Sequence, residues 1–560
     1  MHRDPTKLSN KLFDVLVIGG GIYGAFIAWD AAQRGLSVAL VEQGDFGQET
    51  SANSLKTVHG GLRYLQDFDL ELVREMVKER STYLRIAPHL VQPLKCITPT
   101  YQPITKSKLV MATALKLSDL AAFDRNKTLD KDHEIPSSYI TSEEECKALL
   151  PGLPNQRVTG GAVWYDAQIY DTERFTLAVI TSAEKAGAEV CNYVRANRLL
   201  IQSQEVKGAT VADTFTNDEF EVRSKVVINC AGPWIDSVFK DWYKESGDTL
   251  FQPSLAVNII TKTIVVDLAA GVPSWQEQED FEGSDNKVSH MLFISPWRGK
   301  SIIGTFHSHY LDDPSDFSLQ AINLEEIIQE VNSAYPAAEL ELADIEYVHY
   351  GFLPEMPYAQ NPDVRLVRKS RIIDHQESDG LSGLFSVIGV KYTTARHTAE
   401  KIVDLVFEFL NVDGPSSSTS IEPIHGGEIK NFGGFLSQAI QSDSTRLSPE
   451  TINHLVRSYG TDYSHLIDLI KYEEKESTLD ILSEPVIKAQ VTFAVQEEMA
   501  VTLSDVIFRR TGIGTAGFPG EKVLETTANI LASEMSWSPA EVRHELEVIK
   551  ANYWRHGIST

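Results

Sequence analysis

The stretch FDVLVIGGGIYG, residues 13–24, decides the fold that this chain can adopt. Residues 13–18 are a mostly apolar run that predicts a short buried strand. A helical pattern from about Ala25 to Arg34 follows the glycines, and SVALVE at 37–42 predicts a second strand. A β-α-β unit with such continuous apolar strands is typical of a parallel sheet that is covered on both faces.

Gly19, Gly21 and Gly24 form a GxGxxG pattern between the first strand and the helix. In a dinucleotide site these glycines permit the tight turn, the approach of the pyrophosphate and the close packing of helix on strand. The phosphates lie at the helix N-terminus, and Glu42, which ends the second strand, is placed to accept hydrogen bonds from a ribose. A plain glycine-rich turn with a surface glutamate is the alternative, but the order of these features favours a bound dinucleotide.

The composition bounds the class of protein. A chain of 560 residues predicts two or three domains, and 42% hydrophobic with 23% charged residues indicates a globular protein with ample material for a core. The formal net charge of −27 argues against nucleic acid as a partner.

The four cysteines, at positions 96, 146, 191 and 230, are far apart and form no CxxC pair. This pattern predicts a reducing compartment and no metal site. The first apolar run begins at Phe13 and is interrupted by glycines, which is not the pattern of a signal peptide. We therefore expect a cytoplasmic protein, or one bound peripherally to the inner face of a membrane.

Two later segments favour FAD over NAD as the dinucleotide. CAGPWID at 230–236 and IGVKYTTAR at 388–396 each follow a predicted strand, as the later cofactor-contacting turns do in flavoproteins of the two-dinucleotide-binding type. Each alone could be a plain strand and turn, but the ordered set indicates FAD. The residues that we expect to contact FAD there are Ala231, Gly232, Gly389 and Thr393.

The end of the chain has a different character. NVDGPSSSTS at 411–420 is rich in Gly, Pro and Ser and predicts a linker. The pattern beyond about residue 432 is mostly helical, and Ser538 before Pro539 predicts a helix start. The sequence thus predicts a large α/β body and a helical C-terminal domain.

Several longer segments resemble one known family, the FAD-dependent (aerobic-type) glycerol-3-phosphate dehydrogenases, within the D-amino-acid-oxidase-like FAD-dependent oxidoreductases. The most specific of them is TSANSLKTVHGGLRYL at 50–65. The others are GGGIYGAFIAWDAAQRGLSVALVEQGDF (19–46), VKERSTYLRIAPHLVQPL (77–94), WYDAQIYDTERF (164–175), NCAGPWID (229–236), PWRGKSIIGT (296–305), KYTTAR (391–396) and DVIFRRTG (505–512).

The resemblance implies a fold class and an order of domains. The fold is α/β: an FAD-binding Rossmann-like domain of the two-dinucleotide-binding type, an inserted α+β substrate domain, and a helical C-terminal domain. Residues 1–410 would be the oxidoreductase body, 411–420 the linker and 421–560 the C-terminal domain. Within the body, the FAD-binding parts are expected at about 12–95, 155–240 and 360–410, and the substrate-domain parts at about 96–154 and 241–359.

The resemblance also assigns roles to the segment HGGLRYL, residues 59–65. It implies that this turn runs against the flavin, so that Gly60 and Gly61 leave room for the ring, with His59 and Ser51 among the FAD contacts. Arg63, Tyr64 and Lys391 would face the substrate, and an arginine suits an anion because its planar fork donates two parallel hydrogen bonds. A buried ion pair within the fold is the alternative for Arg63.

The sequence departs from the family pattern where the substrate is expected. In GFLPEMP (351–357) Leu353 stands where the family has an arginine, and in ITKTIVV (260–266) Thr263 stands where it has a histidine. GTFH at 304–307 puts His307 at a further altered position, with His309 two residues on. His307 is our candidate for a replacement acid–base group, and plain packing is the alternative. In VRKS (367–370) the arginine is retained but Ser370 replaces a histidine.

The implied reaction is oxidation of sn-glycerol 3-phosphate to dihydroxyacetone phosphate, with hydride transfer to FAD and electrons passed to a quinone or another acceptor. Leu353 and Thr263 keep an alternative open: an oxidase or dehydrogenase of the same fold that acts on a non-phosphorylated hydroxy acid or an amine. A flavin-binding protein without catalysis is a second alternative.

Two further partners are candidates. The segment TKSKLVMATALKLSDL at 105–120 has Lys106, Lys108 and Lys116 around an apolar stripe. It could lie in a membrane surface, and a helix docked on the protein is the alternative that we favour. The other candidate partner is a second copy of the chain, in a homodimer.

Overall fold

The computed structural model of the chain describes residues 1–101, 108–153, 158–239, 249–275, 289–356, 364–442, 447–473 and 484–553. Among these residues the strands form two sheets, one of eight strands and one of nine.

The first sheet has the predicted β-α-β unit at its centre, and its strand order is β16-β17-β10-β1-β2-β7 with β8 and β9 attached to β10. The strands are β1 (Leu12–Ile18), β2 (Val38–Val41), β7 (Glu189–Cys191), β8 (Val194–Gln202), β9 (Glu205–Asp213), β10 (Glu219–Asn229), β16 (Arg371–Asp374) and β17 (Leu384–Ile388). The strands β17, β10, β1, β2 and β7 are mutually parallel, so their carboxyl ends meet at one edge. The parallel sheet expected from the apolar strands is confirmed.

Both faces of this sheet are covered, by different kinds of element. On one face α2 (Ile22–Gln33) packs against α6 (Thr172–Lys185) and α9 (Ala395–Leu410), in a cluster of fully buried side chains. On the other face, apolar side chains of β1 pack against the antiparallel strands β8 and β9. Continuous apolar strands are the consequence, since neither side of β1 meets water.

The second sheet is mostly antiparallel, in the order β15-β11-β14-β13-β12-β4-β6-β3 with β5 beside β6. Its strands are β3 (Thr57–Val58), β4 (Val91–Tyr101), β5 (Tyr139–Ile140), β6 (Val158–Ile169), β11 (Pro253–Thr261), β12 (Ala269–Trp275), β13 (Ser289–Trp297), β14 (Lys300–His309) and β15 (Ile345–Pro354). Strands β3 and β6 fall inside the ranges predicted for the FAD-binding part, so the two parts interleave more than the predicted domain bounds suggest.

The remaining helices pack against one of the two sheets or form the C-terminal domain. The helices of the body are α1 (Thr6–Ser9), α3 (Leu70–Ile86), α4 (Lys108–Ala121), α5 (Glu143–Leu149), α7 (Leu324–Ala334) and α8 (His375–Asp379). Those of the C-terminal domain are α10 (Phe432–Ser442), α11 (Pro449–Tyr459), α12 (Tyr463–Glu473), α13 (Glu484–Glu497), a π-helix (Asp505–Arg510), α14 (Glu521–Met535) and α15 (Pro539–Ala551). The predicted helix start is confirmed, because Ser538 caps α15 and forms a capping box with Glu541.

The segment predicted as a linker is hydrogen-bonded to the body. The carbonyl of Pro415 accepts from Arg34 Nε at 2.7 Å, and the hydroxyl of Ser417 donates to Asp30, whose side chain is fully buried in α2. Thr419 Oγ1 donates to the same carboxylate at 3.3 Å. A segment of linker composition is therefore part of the packing of α2.

The helix α4 lies within the segment singled out for its lysines, of which Lys106 falls outside the described residues. It contacts β6 and α3, yet Leu109 and Leu120 are 78% and 71% exposed. Across the described ranges we find no helix with the length and apolar character needed to span a bilayer.

Candidate functional site

The glycine-rich turn joins β1 to α2 at the carboxyl edge of the first sheet. Gly19 has a φ of +106°, and a Cβ built there would lie 2.5 Å from the carbonyl oxygen of Cys230. A Cβ on Gly24 would lie 1.9 Å from the carbonyl oxygen of Gly19, so only glycine lets α2 start this close to the strand. Helix α2 has Gly21 as its N-cap and no side-chain cap, which leaves N–H groups of its first turn for a phosphate.

Glu42 follows β2 beside this turn. Its carboxylate accepts from the N–H of Gly20 at 2.7 Å and from the N–H of Gly44 at 2.8 Å. Burial raises the pKa of Glu42 to about 7, against the effect of these two hydrogen bonds. A carboxylate has about four acceptor sites, so two bonds to the backbone leave capacity for the ribose hydroxyls that the sequence assigned to it.

Three more predicted contacts lie in the same row of turns. Ala231 and Gly232 follow β10, and Gly389 follows β17. Neighbouring strands are about 4.8 Å apart, so the turns after β17, β10, β1 and β2 form a row of roughly 14 Å along the carboxyl edge of the sheet. A Cβ on Gly232 would have no atom within 4 Å, and this residue has a φ of +55°. Open space over backbone is what a cofactor lying across these turns requires.

A single cavity of about 2590 Å³ joins these turns to the second sheet. It is lined by most of the residues that the sequence predicted for cofactor and substrate: Gly19, Gly21, Glu42, Ser51, His59, Gly61, Arg63, Tyr64, Ala231, Gly232, His307, Gly389, Lys391 and Thr393. Gly24 and Gly60 lie behind the lining. Ser51 accepts a hydrogen bond from the N–H of Ile22 at 3.0 Å, which ties its loop to the start of α2.

The HGG turn is explained by protein contacts. A Cβ on Gly60 would lie 2.2 Å from a guanidinium nitrogen of Arg80, and one on Gly61 would lie 3.2 Å from the sulfur of Met76. Gly61 also has a φ of +80°. The missing side chains therefore make space for α3, and Gly61 also lines the cavity, so contact of this turn with the flavin stays a prediction.

Asp166 on β6 organises this turn and was missed in the sequence. Its carboxylate accepts from the N–H of Gly60 at 2.7 Å and pairs with His59 Nδ1 at 3.1 Å, and Trp164 Nε1 donates to it at 3.2 Å. Burial would raise its pKa, but His59 and Arg80 hold the pKa at about 2. An aspartate in the middle of an apolar strand was the one available signal.

Cationic side chains gather where the substrate was predicted. Arg63 is exposed to the cavity, and the ammonium of Lys391 lies 5.0 Å from the centre of the Tyr64 ring. Lys391 donates to the carbonyl of Arg368, whose side chain lines the same cavity. Burial lowers the pKa of Lys391 to about 8.

The departures from the family pattern divide into two groups. Leu353 and His307 line the cavity. Thr263 lies beyond the end of β11, is exposed and donates to the carbonyl of Gly299 at 2.6 Å, away from the cavity lining. The prediction that Thr263 replaces a substrate-site residue is therefore wrong. Ser370 contacts the hydroxyl of Tyr23 at 2.8 Å.

The residues present fit FAD. The start of α2, where the N-cap is a glycine without a side chain, suits the pyrophosphate, and the carboxylate of Glu42 suits a ribose. The glycines keep backbone in reach where a side chain would block the approach.

Comparison with known proteins agrees with this site. The profile of the family described as FAD-dependent oxidoreductase matches residues 14–405, and that of the C-terminal domain of alpha-glycerophosphate oxidase matches 417–542. A glycerol-3-phosphate dehydrogenase of Synechocystis is 32% identical over 550 residues, with 97% of each chain covered. The aerobic glycerol-3-phosphate dehydrogenase of Staphylococcus aureus is 29% identical over 561 residues, covering 97% of this chain and 95% of that protein.

A solved structure is similar over nearly the whole length. The glycerol-3-phosphate dehydrogenase of Bacillus halodurans, complexed with FAD, superimposes with a TM-score of 0.74 at 25% identity, covering 98% of this chain and 95% of that one. Similarity of this extent includes the glycine-rich turn, the second sheet and the C-terminal helices together. The chain therefore belongs to the glycerol-3-phosphate dehydrogenase family of FAD-dependent oxidoreductases, with FAD as its cofactor.

Proposed function

We propose that the protein oxidises sn-glycerol 3-phosphate to dihydroxyacetone phosphate. The observation that carries the proposal is that Arg63, Arg368 and Lys391 line the same cavity as the FAD-binding turns. A phosphate ester with an oxidisable hydroxyl matches a cationic region beside a flavin. The names of the relatives from Synechocystis and Staphylococcus aureus support this substrate.

The cations would bind the phosphate in complementary ways. Arg63 offers a planar fork for bidentate contact, whereas Lys391 offers a point charge. A pKa of about 8 leaves Lys391 mostly charged at neutral pH, and Tyr64 keeps its ammonium beside an aromatic face. Their shared role would be to hold the substrate with its hydroxyl towards the flavin.

His59 is the residue that we propose to accept the hydroxyl proton. Its Nδ1 faces Asp166, so Nε2 is the nitrogen left to meet a substrate in the cavity. Asp166, with its low pKa, remains a carboxylate that orients the ring and stabilises the imidazolium. The chemistry that FAD supplies when it is bound is the acceptance of a hydride from the substrate carbon.

His307 remains our predicted second candidate for acid–base chemistry. It lies on β14, exposed and on the cavity lining. A His59→Gln variant with intact FAD and a strongly reduced rate of flavin reduction, beside a nearly normal His307→Gln variant, would support His59. The reverse pattern would transfer the role to His307.

Leu353 favours a second candidate function. An isobutyl side chain lines the cavity where the family has an arginine, which suits a substrate without phosphate, such as a hydroxy acid or an amine. Against this, Arg365 lines the same cavity, and its backbone carbonyl accepts from the N–H of Met356 close to Leu353. We propose that Arg365 supplies the lost cation.

The visible spectrum of the anaerobic holoprotein tests the substrate. Rapid bleaching of the oxidised-flavin band by sn-glycerol 3-phosphate, with little bleaching by sn-glycerol 1-phosphate or glycerol, is expected. Glycerol controls for the phosphate, and the enantiomer controls for the configuration of the carbon that carries the secondary hydroxyl. Bleaching by a hydroxy acid or an amine instead would support the second candidate, and no bleaching by any of them would favour a flavoprotein without catalysis.

We further propose that a membrane quinone receives the electrons. Phe68 and Leu109 are 82% and 78% exposed and also line the cavity, so an apolar surface continues into the flavin site. Leu120 and Lys116 extend this surface along α4, with apolar side chains and a cation suited to anionic lipid. These features favour a membrane surface over the docked helix that we preferred from the sequence.

Vesicle binding and quinone reduction test this part. Leu109→Ser with Leu120→Ser should reduce sedimentation with anionic vesicles and reduction of a quinone analogue, but not flavin bleaching by substrate. Leu311→Ser is the matched control, because Leu311 is 79% exposed elsewhere on the surface. Equal loss in both variants, or none in either, would contradict the proposal.

A further inference from the structure

The C-terminal domain contacts the loop that carries Glu42 through two adjacent arginines. We name residues 42–47 the nucleotide loop, and Arg509 with Arg510 the arginine pair. Arg510 donates to both oxygens of Asp45 at 2.6 and 2.8 Å, and Arg509 Nε donates to the same carboxylate. Asp45 and Arg510 are completely buried.

The π-helix at Asp505–Arg510 makes this convergence possible. Adjacent residues of a regular α-helix point in different directions, so two consecutive arginines rarely reach one carboxylate. The wider turn of a π-helix brings them together, and such segments are frequent at functional sites. Asp505 accepts from Arg509 at 2.7 Å, so the four buried charges balance.

Asp45 has further neighbours that keep it charged and in place. Asn192 Nδ2 donates to it at 3.0 Å. Burial alone would raise the pKa of Asp45, but the charges of Arg510 and Arg509 hold it below its usual range. Truncating one arginine would leave a buried charge without its partner.

The nucleotide loop connects this contact to the cofactor site in short steps. Asp45 follows Gly44, whose N–H is donated to Glu42, and the other oxygen of Glu42 accepts from Gly20 in the glycine-rich turn. The N–H of Gly47 donates to the carbonyl of Gly20 at 3.0 Å. Displacement of Asp45 would therefore move both the ribose-binding carboxylate and the turn that receives the pyrophosphate.

We propose that the C-terminal domain retains FAD, because its arginine pair positions the nucleotide loop through Asp45. Arg509 and Arg510 are thus positioning residues for the cofactor. The inference concerns cofactor retention and holds whichever substrate the enzyme oxidises.

FAD release from purified holoprotein variants tests the proposal. Arg510→Lys keeps the charge but loses the two-pronged contact, and we expect FAD to dissociate about tenfold faster on dilution, measured by the rise in flavin fluorescence. The matched control is Arg298→Met. Arg298 joins the body to the same C-terminal segment by donating to the carbonyl of Gly512 at 2.9 Å, without contact to the nucleotide loop.

Melting temperatures separate positioning from general stabilisation. Faster release in Arg510→Lys than in Arg298→Met, at similar melting temperatures, is the expected result. If FAD release increases in both variants in the same proportion to their decrease in melting temperature, the proposal is overturned. If Arg510→Lys does not fold, Arg509→Lys gives the same comparison.

A measurement on the unaltered chain makes the test independent of any variant. Coupling between two sites is reciprocal, so FAD must protect the arginine pair as much as the pair retains FAD. Hydrogen exchange of residues 498–511 should be slower in the holoprotein than in FAD-depleted protein. Protection confined to the residues of the cavity would overturn the inference.

Discussion

The cofactor part and the substrate part of the cavity are built in different ways. The cofactor part consists of main chain, with glycines at 19 and 24 whose replacement would collide with neighbouring carbonyl oxygens. The substrate part consists of long side chains, such as Arg63 and Lys391, that reach into the cavity from separate segments. Main-chain geometry leaves few acceptable substitutions, whereas one cation can replace another. A change of substrate is therefore easier for this architecture than a change of cofactor.

The largest effect should come from breaking the main chain of the cofactor part. Gly19→Val adds a branched side chain where φ is +106° and a Cβ would lie 2.5 Å from Cys230 O, so we expect essentially no bound FAD. The flavin absorbance of the purified protein measures this. Gly35→Val is the control, because Gly35 has a φ of +92° but no atom near its Cβ position. Normal FAD content in Gly19→Val would contradict the role of this turn.

A smaller effect is expected from a cation of the substrate part. Arg63→Leu removes the proposed contact with the phosphate, which is worth about 2–5 kcal/mol, so kcat/KM for sn-glycerol 3-phosphate should fall about 30- to 5000-fold. FAD content should not change. Arg195→Leu is the counterpart, because Arg195 lines the same cavity next to Val194, whose N–H donates to the carbonyl of Glu42. Loss of FAD in Arg63→Leu would contradict the division of the cavity into a cofactor part and a substrate part.

Asp166→Asn tests the support behind His59. The amide cannot stabilise an imidazolium as a carboxylate does, so kcat should fall about 10²-fold while KM changes little. Steady-state kinetics gives both quantities. Trp164→Phe removes one hydrogen bond to Asp166 and should have a minor effect. A pure KM effect in Asp166→Asn would place this residue in binding rather than in proton transfer.

The pH dependence of substrate capture sharpens the account of Lys391. This lysine is charged below its pKa of about 8 and neutral above it, so kcat/KM should decrease as the pH rises through 8. A loss of about tenfold is the size expected for one charge–phosphate contact. Lys391→Arg, which stays charged, should remove this decrease. A decrease that persists in the arginine variant would assign it to another group.

The smallest effect is expected at Glu42. Its pKa of about 7 is raised, so the carboxylate gains a proton as the pH falls below 7 and accepts fewer hydrogen bonds from the ribose. The FAD dissociation constant should rise a few-fold between pH 8 and pH 6, by roughly 1 kcal/mol. Titration of FAD into depleted protein measures it. Glu42→Gln should be weaker at both pH values and lack this dependence.

The cofactor part could be predicted because its signals are local. Strand β1, the glycine-rich turn and Glu42 lie within 31 consecutive residues, 12–42, and each has a short-range cause. The substrate part could not be predicted to the same extent. Asp166 contacts His59 only because β3 pairs with β6, and the sequence near residue 59 does not indicate that pairing. Thr263 was misplaced because ITKTIVV was matched to the family by its pattern alone, whereas β11 ends at Thr261, before Thr263.

The hydrogen bonds of the linker have a consequence for dividing the chain. Composition places a boundary at residue 410, and a chain cut there would lack Ser417 and Thr419. Asp30, completely buried in α2, would then keep only Arg34 as a partner among those described, at 3.2 Å. Burial already raises the pKa of Asp30, so the stability of the shortened protein should fall as the pH rises through this raised pKa. A boundary at residue 410 would therefore cut into the packing of the body, which extends at least to residue 420.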